Sequence, residues 1–309
     1  MGIVVFGSVF VDIKGYPNST YIPTGRNAGR VEQVHGGVSR NIVENIANVE
    51  LRPTFVGLVD ETSAGTDVIE KLKRHKVNTE YIRRSPDGMG TWLAIFDNSG
   101  DVVASISKRP DLSPIGDILD ECGDEIISNA DSVAFELDME KDLVKKIFTL
   151  CKKYNKDVYA VVSNMSIAAD RRDFIKDTSC FVCNSAEAGI LFTDDYSEKT
   201  PEELAEIIQK KIVNAGIPRM VVTMGADGAV YADINGEHGT CRAKKVTVQD
   251  TTGAGDAFFS GVTIGLTYHK TLAEACEIGT SLAASVITST ENVCPRFLPG
   301  EFGIEIEEK

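Results

Sequence analysis

Buried strands that alternate with amphipathic helices predict an α/β protein with a mostly parallel, doubly wound sheet, flanked by helices on both faces and carrying a small extra β-sheet. Three observations carry this. Apolar runs such as "IVVFG" (3–7) and "TFVGLV" (54–59) read as buried strands. Segments between the strands place apolar residues at helical spacing. Two segments, 13–35 and 89–108, depart from the pattern and return to it.

The elements follow in chain order. After "IVVFG", Asp12 closes the first apolar run and is expected at the end of strand one. "SRNIVENIANVEL" (39–51) sets Ile42, Val43, Ile46, Ala47 and Val49 on one helical face. "TFVGLV" is the next strand and "GTDVIEKLKRHKV" (65–77) a second amphipathic helix. Then come strand "SVAFELD" (132–138), helix "KDLVKKIFTLCKKY" (141–154) and strands "DVYAVVS" (157–163) and "CFVCN" (180–184). Helix "PEELAEIIQKKIV" (201–213) is announced by Thr200-Pro201-Glu202-Glu203, an N-cap, a first-turn proline and a capping-box glutamate, and Gly216 ends it. Strand "RMVVTMG" (219–225) follows. "KKVTVQD" (244–250) is expected as a strand feeding "DAFFSGVTIGLTY" (256–268), a helix apolar nearly all round.

The two departures are read as β-excursions. "TWLAIFDNSGDVVASIS" (91–107) alternates in period two around Asp97-Asn98-Ser99-Gly100, a hairpin signal. Residues 13–35 are polar and contain glycine without helical periodicity. Residues 1–12, 36–88 and 109–309 then make the body, and 13–35 with 89–108 make a small sheet over its active edge. Its exposed side is expected to carry Trp92 and Phe96 or their neighbours and to offer a subunit contact.

Composition narrows the function. A compact chain of 309 residues buries about three quarters of its unfolded surface and needs no staples. The net charge of −14 repels nucleic-acid backbones and anionic membranes, while backbone amides can still bind a small anion locally. Seven cysteines at 122, 151, 180, 183, 241, 276 and 294 include one C-x-x-C inside an apolar strand and no second pair for zinc, so inert buried thiols are expected. The start, "MGIVVFGSVFVD", has neither the basic flank of a signal peptide nor the length of a membrane span, and a cytoplasmic protein is expected. His35, His75, His238 and His269 have no spacing for metal or triad chemistry.

"DTTGAGDAFFSG" (250–261) poses the chemical question. Its Gly253-Ala254-Gly255 turn precedes a helix, where free amides and the positive dipole end point outward. Asp256 then lies in the first turn. An anion cradle beside a carboxylate suits phosphoryl transfer: amides stabilise developing charge while the carboxylate takes a hydroxyl proton. The same residues also make a plain tight turn with an N-terminal acid. Thr223-x-Gly225-x-x-Gly228 follows a buried strand and can admit a phosphate or a purine edge, although Asp227-Gly228 is also a hairpin turn. Asn184 and Glu187 share one face of a first helical turn and suit a water-rich Mg²⁺ shell, or else form a capping box. Asp12, Gly36, Gly37 and Asn41 are polar or bare groups that can converge where strands end and take sugar hydroxyls. The chain has no G-x-x-x-x-G-K-[ST], and no G-x-G-x-x-G follows its first strand, which excludes a P-loop NTPase and argues against a nicotinamide enzyme.

In this order the residues resemble the ribokinase/PfkB family of carbohydrate and nucleoside kinases. The likeness runs through Asp12, "GGVSRN" (36–41), "VGLVDETSAGTDVIEKLKRHKVNTEYI" (56–82), "NSAE" (184–187), "TMGADG" (223–228) and "DTTGAGDAFFSG". It implies a ribokinase-like fold whose two β-excursions form a lid, which closes over the sugar and pairs subunits in a homodimer. It implies Asp256 as catalytic base and the amides of Gly253, Ala254 and Gly255 as the anion hole. It further implies Asn184 and Glu187 around Mg²⁺ and the phosphates, with Glu187 acting through water, and Thr223, Gly225 and Gly228 on the ATP side. Asp12, Gly36, Gly37 and Asn41 would bind the sugar, and Asp250 with Thr252 a monovalent cation such as K⁺. The expected activity is ATP-dependent phosphorylation of a primary hydroxyl on a sugar or ribonucleoside. "GGVSRN" looks more like the "GGVARN" of pseudouridine kinases than the "GGKGAN" of ribokinases, which points to pseudouridine, with ribose, fructose or another nucleoside behind it. The lid return "SKRPDLSP" departs from the pseudouridine pattern, and Lys108 and Arg109 there are candidates to alter sugar or base contacts. A non-catalytic sugar or nucleoside sensor on the same fold is the rival from another class.

Overall fold

The computed structural model describes residues 2–98, 102–164, 166 and 172–305. Its main sheet begins with β1 (Ile3–Gly7), an apolar run buried on both faces. β4 (Thr54–Val59), β5 (Ile82–Arg84), β8 (Ser132–Glu136), β9 (Val158–Val161), β10 (Cys180–Asn184), β11 (Arg219–Thr223), β12 (Ala229–Asp233) and β13 (His238–Cys241) complete it. The spatial order is β13-β12-β11-β10-β9-β8-β1-β4-β5. All neighbours are parallel except the β11–β12–β13 edge, which is antiparallel. β1 lies between β4 and β8. The chain therefore winds out in both directions from β1, and a crevice opens at the carboxyl ends there.

Helices cover both faces, as continuous apolar strands require. One core joins the strands to α3 (Ile115–Ser128), α4 (Lys141–Lys153), α6 (Ser185–Phe192) and α7 (Pro201–Ala215). A short α5 (Arg172–Ile175) precedes β10. The other core joins them to α1 (Val38–Asn48), α2 (Ser63–Arg74), α8 (Ala254–Thr267) and α9 (Leu272–Ile287). Local signals behave as read: Thr200 and Glu203 form a capping box around Pro201, and Gly216 closes α7 in a left-handed conformation. All seven cysteines are free, and burial pushes the Cys180 thiol up to about 12, consistent with inert packing.

A separate four-stranded sheet contains β2 (Phe10–Pro17), β3 (Gly29–Gly36), β6 (Gly90–Phe96) and β7 (Val102–Lys108), in the order β3-β2-β6-β7. Its outer pairs are antiparallel, but β2 and β6 run parallel. Ser99 and Gly100 of the expected hairpin turn lie outside the described residues.

Two expectations change and a third is narrowed. Asp12 lies inside β2, so the excursion starts at Phe10 and strand one has already ended at Gly7. Residues 244–250 form no strand: β13 is the edge of the sheet, and Val246 and Val248 are exposed. Trp92 pairs in register with Asp12, and successive strand residues alternate faces, so Trp92 and Phe96 share the Asp12 face. Their neighbours supply the exposed side instead, with Leu93, Ile106 and Val31 in the light of solvent on the opposite face.

The small residues of α8 have a packing reason. A side chain on Gly261 would collide with the backbone of Gly279, and one on Gly265 with Ala275. α8 can therefore lie hard against α9, which keeps its amino end rigid. Gly261→Val should cost at least about 1–3 kcal/mol through overpacking. Urea denaturation checks this, and an unchanged midpoint would contradict the close contact.

Candidate active site

The amino end of α8 is built on Gly253. Its φ of 82° is left-handed, and a Cβ there would strike the carbonyl oxygen of Asn292, so only glycine fits. No side chain caps this helix. The Ala254 amide donates to the Thr251 carbonyl at 3.2 Å, while the Gly253 and Gly255 amides are available to a ligand and the space beside Gly255 is open.

Asp256 stands in that first turn. Its Oδ2 accepts a 2.7 Å hydrogen bond from Nδ2 of Asn41 on α1. Burial pushes the carboxyl up to about 7. The Asn41 bond opposes this, Glu136 and Asp12 reinforce it, and Arg40 lowers it. Asn41 is buried, and among the described residues its Oδ1 meets no donor, an acceptor that a hydroxyl of a bound molecule would satisfy. Asp12 is also buried with a raised pKa, chiefly through desolvation. A Cβ on Gly36 would run into its carboxylate, and Gly37, with φ of 100°, turns the chain into α1. Asp12, Gly36, Gly37, Asn41 and Asp256 are thus gathered at one point beside β1.

The remaining expected residues line the same edge farther along. Asn184 and Thr223 are register partners on β10 and β11, side by side at strand ends. Asn184 caps α6 by accepting from the Glu187 amide at 2.8 Å, and Glu187 Oε2 accepts from the Asn184 amide at 2.8 Å. The capping-box reading of this pair therefore holds, at the cost of one Glu187 oxygen. Gly225 and Gly228 have φ of 59° and 96° around a short turn into β12, where a Cβ on Gly228 would strike the Cys241 carbonyl. No hydrogen bond links this group to Asp256 among the described residues; β8 and β9 stand between them.

What fills that interval escaped the sequence reading. Glu136 is buried at the end of β8, and its Oε1 accepts from the Ser8 amide at 3.0 Å and hydroxyl at 2.8 Å. The Ser39 hydroxyl lies 2.7 Å away. Asp138 accepts from the Ser163 amide and hydroxyl and from Arg109 at 2.9 Å. Arg109 thus ties the lid return to the body, while Lys108 pairs with Asp87 at the exposed rim. Glu187, Asp138, Glu136, Asp256 and Asp12 form a chain of acids in which Asp138 raises the pKa of Glu187 and of Glu136, and Glu136 and Asp12 raise that of Asp256. The signal was present in "FELD", two acids at the end of an otherwise apolar strand.

Arg40 is the buried counter-charge. It pairs with Glu44, donates to the His35 carbonyl, and reaches Asn292 Oδ1 at 3.3 Å. His35 thus contributes its backbone oxygen, which also accepts from Asn292 Nδ2 at 2.9 Å.

A divalent ion fits this edge. Among the described residues no three His, Cys, Asp or Glu groups converge into a metal cage. Mg²⁺ needs none, since it commonly keeps waters and takes one or two carboxylates plus substrate phosphates. Glu187 supplies a hard oxygen donor of that kind.

The raised Asp256 pKa carries a stability cost. The folded state holds this proton more tightly than the unfolded chain, so the group's contribution falls as pH rises from 3.8 towards about 7. Asp256→Asn fixes the uncharged form and should raise the melting temperature at pH 8. A lowered or unchanged value there would contradict the burial argument.

Comparisons with known proteins agree with this geometry. The family model described as pfkB family carbohydrate kinase matches residues 2–294. A guanosine-inosine kinase of Exiguobacterium acetylicum is 36% identical over 295 residues, covering 94% of this chain and 95% of that protein. The pseudouridine kinase of Escherichia coli (strain K12) is 25% identical over 262 residues, covering 84% and 82%. The structure of Arabidopsis thaliana ribokinase with ribose and ATP superposes with a TM-score of 0.81 at 18% identity, covering 99% of each chain. No helix among the described residues is long and apolar enough to cross a membrane. With the fold, the bare helix end and the family match all in agreement, the chain belongs to the pfkB family of carbohydrate kinases, as an ATP-dependent kinase of a sugar or nucleoside.

Proposed function

We propose that the protein transfers the γ-phosphoryl group of ATP to the primary hydroxyl of a purine ribonucleoside, with guanosine or inosine as the acceptor. The observation that carries the base is the aromatic side of the lid. Tyr16 stacks on Phe96 with centroids 4.8 Å apart, and Trp92 meets Phe96 edge-on at 6.3 Å. All three rings share the lid face that carries Asp12. Asp12 and the open acceptor of Asn41 suit ribose hydroxyls, and the rings beyond them suit a flat base. The guanosine-inosine kinase, at 36% identity against 25% for the pseudouridine kinase, supports a purine over the pseudouridine expected from "GGVSRN".

The chemistry is assigned to residues as follows. Asp256, ionised above its raised pKa, accepts the proton of the primary hydroxyl as that oxygen attacks. Asn41 fixes the orientation of the carboxylate. The amides of Gly253, Ala254 and Gly255 stabilise charge on the transferring group. Asn184, Thr223, Gly225 and Gly228 bind the nucleotide side. Glu187 would hold Mg²⁺ through water, and the ion would supply charge neutralisation on the phosphates when bound. Lid closure excludes water and limits ATP hydrolysis. The exposed apolar row of Val31, Leu93 and Ile106 supports pairing of two lids in a homodimer; sedimentation of the wild type as a monomer would remove that feature.

ADP release tests the reading with guanosine, inosine, adenosine, pseudouridine, uridine, ribose and fructose as acceptors. Guanosine and inosine should give the highest kcat/KM, with an acidic limb near pH 7. Asp256→Asn should lower kcat about 10²–10⁴-fold. Trp92→Ala should raise KM for guanosine about tenfold, in line with the loss of one stacking contact, and leave ribose unaffected. No acceptor-dependent ADP release would favour the sensor reading, and a preference for pseudouridine would displace the purine.

A further inference from the structure

The cation expected at Asp250 and Thr252 meets a competitor. Asp250 Oδ1 accepts the Thr252 amide at 2.8 Å, which shapes the turn leading to Gly253. Its Oδ2 faces the Lys14 ammonium at 3.8 Å. Lys14 is only 6% exposed and projects from β2 on the face that carries Asp12 and Tyr16. An ammonium so far removed from water needs an anionic partner, and among the described residues its salt bridge is to Asp250. A monovalent metal ion at the same carboxylate would put two positive charges on one partner, where their repulsion opposes joint occupancy.

We infer that the Lys14 ammonium stands in place of a bound monovalent cation at Asp250. It is a positioning residue. Its charge holds the Asp250 carboxylate, the carboxylate holds the Thr252 amide, and the next residues are those whose amides face the phosphoryl group. Because Lys14 belongs to a lid strand, the charge that sets the anion loop comes with the lid. The kinetic consequence rests on the kinase reading above; the structural one does not.

The experiment compares the full chain with Lys14→Met in potassium chloride and in tetramethylammonium chloride at equal ionic strength. Without substrate, the wild-type melting temperature should be the same in both salts. Lys14→Met should melt lower in tetramethylammonium and recover in potassium. With acceptor and Mg-ATP, the wild-type rate should not depend on potassium. Lys14→Met should lose about tenfold or more in kcat/KM, in line with the Coulomb attraction lost between two charges about 4 Å apart, and regain most of it in potassium. Potassium activation or stabilisation of the wild type overturns the inference. So does a Lys14→Met protein that matches the wild type, or whose losses potassium does not reverse. Should Lys14→Met fail to fold, the wild-type comparison still decides, with Lys14→Arg required to stay potassium-independent. The melting arm uses no substrate, so its outcome is separable from failure of the kinase reading.

Discussion

One constraint organises the molecule: the amino end of α8 must stay uncapped and open while being held in place from every side. Gly253 permits this by taking a left-handed turn beneath the Asn292 carbonyl, where a side chain has no room. The glycine seam against α9 fixes the helix, and Asn41 fixes the carboxylate that follows. Orphaned amides are ordinarily a cost to a helix, relieved by a cap or by water. Here the amides of Gly253 and Gly255 remain available to an anion, while that of Ala254 donates to the Thr251 carbonyl.

Around that helix end the charges follow a pattern. A chain of acids runs along the strand ends from Glu187 to Asp12, close enough that Asp138 raises the pKa of Glu187 and Glu136, and Glu136 and Asp12 that of Asp256. Buried like charges of this density are tolerable because each has a partner. Ser8 and Ser39 serve Glu136, Ser163 and Arg109 serve Asp138, and Arg40 lies behind Asp256 and Asp12. Among the described residues this edge holds no preformed metal cage.

The lid has two faces with different tasks. The face with Asp12, Lys14, Tyr16, Trp92 and Phe96 turns to the crevice, and the other presents Val31, Leu93 and Ile106. Strand alternation makes this division, because successive side chains along a strand point to opposite faces. Arg109 then couples the lid return to Asp138, two residues beyond β8, so the small sheet is tied to the body there.

Much of this was legible in the residues. The strand–helix alternation announced the doubly wound sheet, because burial on two faces demands continuous apolar runs. "DTTGAGDAFFSG" announced the helix start with no side-chain cap, since only a glycine takes the left-handed turn at Gly253. Capping residues marked helix starts because they act over three residues of chain. Side-chain direction in the lid lay beyond such signals: Trp92 and Phe96 face the crevice because β6 pairs with Asp12, a contact eighty positions away in sequence. Val246 and Val248 show the same limit, for their alternation fits a strand but the sheet edge was already closed by β13. Arg40, Glu136, Asp138 and Lys14 look like ordinary charged residues until tertiary packing removes their water. Sequence determined what each segment would form locally; the fold decided which charges meet, because burial and long-range pairing exist only once the chain has closed on itself.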